Sequence, residues 1–245
     1  MTRLKLVFLG VGGWISKPIL GHTSVLVEEN NDRILLDSGE CTARALHVYG
    51  KGLDRIRGIV VTHLHGDHVL GLPTILMLLK HMGYPGISVY VPGESARDLL
   101  ELLRITGVDY EGFVRVVGVE HGDEHEVGVF RLKFIRAVHT MPSLSVRVSS
   151  RDKCIVYSGD TSYNPTLVEL TKGCDLLIHE VSGYDPSSRM YGHSTFEDAL
   201  RVADEAGVKK VILVHYYMDV PCIKPSSIRT YGEFNLAYPG FEIQV

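Results

Sequence analysis

The sequence of 245 residues contains no run of Lys or Arg longer than Lys209-Lys210, and its formal net charge is −4. A dedicated nucleic-acid binder usually carries a basic face or run, so that class is disfavoured, although scattered residues can still build a local basic patch. Cysteine is sparse: Cys41, Cys154, Cys174 and Cys222 stand far apart and form no Cys-x-x-Cys pair. No disulfide framework is indicated, Cys154 and Cys174 read as buried small hydrophobes, and a reducing cytoplasm is the expected compartment. The early apolar run Leu4–Gly10 is too short and too soon interrupted for a signal peptide or membrane span, and is expected to be the first strand. No linker, repeat or low-complexity stretch divides the chain, so residues 1–245 read as one domain with a sizeable core. Gly10-Val11-Gly12-Gly13 is followed by no Lys-Ser/Thr, which argues against a phosphate loop and for a flexible loop at the rim of a site.

What the chain does have is concentrated ligand chemistry. Residues 63–68 read His63-Leu64-His65-Gly66-Asp67-His68, directly after the apolar run Ile59-Val60-Val61-Thr62. A strand is expected to deliver His63 and His65 on one side, because side chains alternate with period two. A tight turn at Gly66 then brings Asp67 and His68 round from another side. Divalent metals of borderline softness, such as zinc, take imidazole nitrogen and carboxylate oxygen readily, so this one segment can hold parts of two adjacent sites.

The segment resembles the signature motif of the metallo-β-lactamase superfamily. That resemblance implies an α+β fold, an αββα sandwich of two packed mixed sheets with helices outside, and further ligands near strand ends. His139 follows the alternating stretch Phe130–Val138, Asp160 follows Cys154–Gly159, and His215 follows Val211–Val214. By resemblance, one metal takes His63, His65 and His139, a second takes Asp67, His68 and His215, and Asp160 bridges them. Asp37, in Leu35-Leu36-Asp37-Ser38-Gly39, matches an early Asp-x-Gly turn whose carboxylate supports the site from behind.

Local signals fit that order. Arg33–Asp37 is expected to pair with His22–Glu29 across a turn at Asn30-Asn31-Asp32. Helices are expected over Cys41–Tyr49, Val69–Met82, Glu94–Thr106, Asn164 to near Gly173, and Ser194–Ala206, the last with Ser194 and Glu197 at capping-box spacing. Strands are expected at Ile87–Val91 and Asp175–His179, with two or three more between Val114 and Val148. The Val69–Met82 stretch is apolar around its circumference, which fits either core burial or the interface of a homodimer.

Two lesser motifs narrow the chemistry. His179-Glu180 and His193-Ser194-Thr195 resemble elements of ribonuclease Z and its phosphodiesterase relatives. The resemblance implies that His193 protonates the leaving oxygen and that Glu180 orients it, a sensible general acid because the carboxylate stabilises the imidazolium. Two departures weigh against tRNA. Trp14–His22 does not match the early Pro-x-Lys-x-Arg-Asn type element, and the 20 residues between His139 and Asp160 leave no room for a tRNA-clamping arm. The expected protein is therefore a hydrolase with two divalent ions, zinc by its histidine content, although manganese or iron would suit the same ligands. Its expected substrate is a small phosphodiester, attacked by a hydroxide held between the metals, with Asp67 or Asp160 as proton acceptor. The alternatives are an arylsulfatase or other ester or lactone hydrolase of the same fold, or tRNA 3′-end processing; RNA is not favoured and no membrane association is expected.

Overall fold

In the computed structural model, which describes residues 4–182, 186–217 and 233–245, strand β1 (Lys5–Gly10) is buried on both faces. Leu6 and Phe8 enter one core cluster, and Val7 and Leu9 enter another. Period-two alternation inside a strand covered on both sides has this consequence: the sheet is the boundary between two cores.

The first sheet continues through β2 (Ser24–Glu29), β3 (Asp32–Leu36), β4 (Ile56–Val60), β5 (Ile87–Pro92) and β6 (Val114–Val119). The second holds β7 (Glu124–Val127), β8 (Phe130–Arg136), β9 (Leu144–Ser150), β10 (Lys153–Tyr157), β11 (Leu176–Glu180), β12 (Lys210–Val214) and β13 (Glu233–Leu236). The last strand, β14 (Glu242–Gln244), returns to pair antiparallel with β1. Both sheets are mixed. In the first, β3, β4, β5 and β6 run parallel; in the second, β10, β11, β12 and β13 do. Helices α1 (Thr42–Val48), α2 (Gly66–Val69), α3 (Leu72–His81) and α4 (Ala96–Ile105) belong to the first half of the chain, and α5 (Pro165–Thr171) and α6 (Phe196–Ala206) to the second. One core cluster joins the inner faces of the sheets and runs on to α5 and α6; the other packs the first sheet against α1, α3 and α4. This is the layered sandwich expected from the sequence.

Five expectations need correction. Strand β4 ends at Val60, so His63 and His65 lie on the connection that follows and not on the strand. The Val69–Met82 helix is two pieces: α2 starts at Gly66, and α3 starts after Gly71, where an added Cβ would fall 2.2 Å from the Gly39 carbonyl oxygen. α3 is also one-sided, with Leu72, Ile75, Leu76 and Leu79 buried but Met77 and Leu78 exposed, as are Leu70 and Met82 just outside it. The cap of α6 is Thr195, paired reciprocally with Asp198, because Ser194 spends its hydroxyl on the Thr161 carbonyl at 2.6 Å. Finally, Gly10–Gly13 is buried and bonded into the structure, the Val11 carbonyl accepting from the His215 amide at 2.6 Å. No helix among the described residues is long and apolar enough to cross a membrane.

Candidate metal centre

Parallel strands present their carboxyl ends to one edge, and ligand sites of open α/β sheets collect there. Asp37 follows β3, His63 and His65 follow β4, Asp160 follows β10, Glu180 ends β11 and His215 follows β12. His139 follows β8, and His193 lies just before the cap of α6. Asp67 and His68 sit within α2.

The side chains converge. His65 Nδ1 lies 3.0 Å from His63 Nε2 and 3.1 Å from His139 Nε2. Asp160 Oδ2 approaches His63 Nε2 at 3.5 Å and His139 Nε2 at 4.0 Å. On the other side, His215 Nε2 stands 3.1 Å from Asp67 Oδ2 and 3.3 Å from Asp160 Oδ2. His68 Nε2 is 3.6 Å from Asp67 Oδ2 and 3.3 Å from Asp160 Oδ1. Asp160 thus faces both groups, one oxygen shared among His63, His139 and His215 and the other turned to His68.

The ring nitrogens behind these contacts fix the tautomers. His139 Nδ1 donates to the Gly192 carbonyl at 2.8 Å, and His68 Nδ1 donates to Asp37 Oδ2 at 2.7 Å. With Nδ1 engaged in this way, each ring turns Nε2 inward, the nitrogen a bound cation would take. His68 Nε2 is buried with no hydrogen-bond partner. Such an orphan is costly unless something else satisfies it. Lone pairs and carboxylates facing a common centre, with one ring nitrogen unsatisfied, fit a divalent cation.

Asp37 is the hub of the support. Besides His68, its carboxylate accepts from the Thr62 amide at 2.7 Å, the Thr62 hydroxyl at 2.9 Å and the Tyr157 hydroxyl at 2.7 Å. Asp37 itself holds φ 57°, and His215 holds φ 58°. Non-glycine residues in the left-handed region are uncommon and collect at functional sites. Gly13 closes the wall beside His215; an added Cβ there would meet the imidazole at 2.7 Å.

Electrostatics follow burial and charge. Burial, helped by repulsion from neighbouring imidazoles, pushes His63, His65 and His139 below the usual histidine range against the pull of Asp160, the neutral state a ligand needs. Burial also disfavours charge on His68 and His215, but the surrounding carboxylates together overcome it, Asp160 and Asp37 raising His68 and Asp160 and Asp67 raising His215. For Asp67, burial is overcome by the His215 hydrogen bond and the charge of His68, leaving a pKa of about 2.

His193 and Glu180 form a separate pair. His193 Nδ1 meets Glu180 Oε1 at 3.0 Å. Glu180 is anchored by the Thr161 amide at 2.8 Å and the Ser182 hydroxyl at 2.5 Å. Burial lowers the His193 pKa, yet the Glu180 carboxylate prevails and raises it to about 9. Nδ1 also lies 3.9 Å from Asp160 Oδ2, so Asp160, His193 and His215 form a third cluster of metal-ligand character.

Over this floor opens a cavity of about 540 Å³, with Trp14, Leu70 and Tyr191 in its walls beside His65, Asp67 and His193. Trp14 and Tyr191 are 68% and 65% exposed. Neither aromatic was singled out as a site residue from the sequence. Nor was Tyr157, which reads there as one more residue of an apolar strand.

A family model described as anti-Pycsar protein Apyc1 matches residues 4–235. The ribonuclease Z of Picrophilus torridus is 25% identical over 267 aligned positions, covering 88% of this chain and 86% of that protein. The metallo-β-lactamase fold protein YhfI of Bacillus subtilis superposes with a TM-score of 0.86 at 20% identity, covering 99% of this chain and 100% of that one. The short form of human tRNase Z, ELAC1, superposes with a TM-score of 0.81 at 24% identity, covering 98% of both chains.

Proposed function

The chain belongs to the family described as anti-Pycsar protein Apyc1, and on that premise we propose that it hydrolyses a small phosphodiester bearing one phosphate and an aromatic group. It is a metal-dependent, ribonuclease Z-like hydrolase of the metallo-β-lactamase fold. The observation that carries the substrate reading is the cavity mouth. Trp14 and Tyr191 offer stacking faces for a base, while no Lys or Arg lines the cavity among the described residues. A polynucleotide needs cations along its path, whereas a single nucleotide needs one charge sink and a π-face.

We assign two divalent ions. His63, His65 and His139 would hold one, Asp67, His68 and His215 the other, with Asp160 between. Zinc suits a set dominated by imidazole, and manganese or iron would be accepted by the same donors. When bound, such ions lower the pKa of a coordinated water toward neutrality and offset charge on the phosphate oxygens. The protein's own groups do the rest. Asp67 is assigned the proton from the attacking water, a role supported by its ionised state and its place in the cavity lining. His193, held by Glu180 through Nδ1, presents its other ring nitrogen to the departing oxygen and donates a proton there. The walls at Trp14, Leu70 and Tyr191 orient the substrate and displace water.

Two finer readings rest on the same footing. Residues 1–245 are taken as one hydrolase domain acting in the cytoplasm. A homodimer is assigned to the exposed apolar residues Leu70, Met77, Leu78 and Met82, and light scattering that returned only monomer would remove it. The tRNA reading draws on the ribonuclease Z relatives, but the segment from His139 to Asp160 is filled by the β9–β10 hairpin. Metal-loaded protein should cleave bis(p-nitrophenyl) phosphate and mononucleotide diesters, and leave an aryl sulfate and a 3′-extended tRNA intact. Trp14→Ala should raise KM for the nucleotide more than it lowers kcat. Faster cleavage of sulfate or tRNA would overturn the reading.

A further inference from the structure

Away from the metal centre, two cysteines that are distant in sequence come together at the start of β10 and β11. The strands are parallel, with Ile155 opposite Leu176. The Asp175 amide donates to the Cys154 carbonyl at 2.9 Å, and the Cys154 amide donates to Asp175 Oδ2 at 3.0 Å. The Cys154 thiol points at the Gly173 carbonyl, 3.7 Å away, which brings it beside Cys174. The two side chains interact directly, and both are reduced. They keep 5% and 9% of their surface exposed, room for a small reagent only.

We propose that Cys154 and Cys174 are an oxidation site, closing to a disulfide on reaction with a small hydroperoxide. The two thiols are unlike, which gives each a role. The interaction with Cys174 outweighs burial and, with Arg147 nearby, brings the Cys154 thiol down to about 7. Cys174 is pushed up and stays protonated. The thiolate is the nucleophile in such chemistry. Cys154 sulfur attacks one peroxide oxygen; the O–O bond breaks, the other oxygen leaves as water or alcohol after taking a proton, and Cys154 becomes a sulfenic acid. Cys174 sulfur then attacks the Cys154 sulfur. Its proton and the sulfenic hydroxyl leave as water, and the S–S bond forms. Two thiols are oxidised by two electrons and one hydroperoxide is reduced.

The bond would close residues 154–174 into a ring containing Ser158, Asp160, Asn164 and α5. Oxidation would therefore brace the segment that carries Asp160 without touching any group of the centre. Cross-linking a loop of this size removes freedom from the unfolded chain.

The test uses the full-length, zinc-loaded protein, treated with equimolar hydrogen peroxide, quenched with an alkylating reagent under denaturing conditions and mapped without reduction. The expected result is one linkage between the Cys154 and Cys174 peptides, reversed by dithiothreitol, and a melting temperature several degrees above that of the reduced protein. Cys174→Ser should leave a Cys154 sulfenic acid that dimedone traps, whereas Cys154→Ser should leave Cys174 unmodified. Both thiols alkylated in full after peroxide, or a linkage to Cys41 or Cys222 instead, would overturn the proposal. A dimedone adduct on Cys174 in the Cys154→Ser protein would overturn the assigned roles.

Discussion

The Tyr157 hydroxyl donates to Asp37 Oδ2 at 2.7 Å, the same oxygen that accepts from His68 Nδ1 at 2.7 Å. Tyr157 is fully buried, so its hydroxyl has been taken out of water to hold one carboxylate in register with one imidazole. Partners of this kind typically contribute about 10–100-fold to metal affinity. Tyr157→Phe keeps the ring and deletes the bond. It should weaken binding of one divalent ion by a factor in that range, read by competition with a chromogenic chelator. Unchanged affinity for both ions would mean that Thr62 and the backbone hold Asp37 unaided.

Asp160 faces both ligand groups, so its loss should be felt on both. Metal analysis of Asp160→Ala after zinc loading should show reduced occupancy of two sites. Full retention of one equivalent would contradict a bridging position.

The His193 and Glu180 pair sets a leaving-group and pH signature. His193→Ala should slow a nucleoside diester by about 10²–10⁴-fold, the usual worth of general acid catalysis, and an activated p-nitrophenyl diester much less. Glu180→Gln should act in the same direction, more weakly. Because the His193 pKa is raised to about 9, the proton to be donated is present below that pH and lost above it. Bound cations beside Asp160 offset part of that carboxylate's pull, which moves the limb down and not up. The pH–rate profile for the poor leaving group should therefore fall on its alkaline side at or below about pH 9, and this limb should vanish in His193→Ala. Equal slowing for both leaving groups would assign His193 to substrate binding.

Asp198 ties the segment carrying Tyr191 and His193 to α6. Its carboxylate accepts from the Thr195 amide and hydroxyl, completing the cap, and from Arg189 at 2.8 Å. Burial raises its carboxyl pKa, but Arg189 and Thr195 overcome this and hold it below 3.8. A depressed carboxyl contributes stability above its unfolded pKa and loses it as pH falls through the folded value. Asp198→Asn should lower the neutral-pH melting temperature and flatten the acid side of its pH dependence, measured by calorimetry. Thr195→Ala should cost about 1 kcal/mol, the usual value of an N-cap.

What was legible in the sequence was local or carried by resemblance. His63, His65, Asp67 and His68 stand out by spacing, whereas His139, Asp160 and His215 are reached through the family resemblance, which implies further ligands near strand ends. What was not legible depends on distant contacts. The break before α3 exists because Gly71 must pass close to the Gly39 carbonyl. The α6 cap moved by one residue because the Thr161 carbonyl claims Ser194. Tyr157 gains its role only through contact with Asp37, 120 positions earlier. Trp14 and Tyr191 share a cavity only after the first and second halves of the chain have packed.

That shared edge also ties assembly to the ion supply. The donors are drawn from positions 63 to 215, and neither ligand group comes from one sheet alone: His139 joins His63 and His65, and His215 joins Asp67 and His68. A half-formed sandwich therefore lacks a complete set, and an ion binds tightly only once both halves have met. Binding to the native state alone adds about 4 kcal/mol when free ion exceeds its Kd a thousandfold. Metal starvation should accordingly shorten the protein's lifetime as well as silence it, because buried carboxylates and imidazoles that a cation reconciles would otherwise oppose closure.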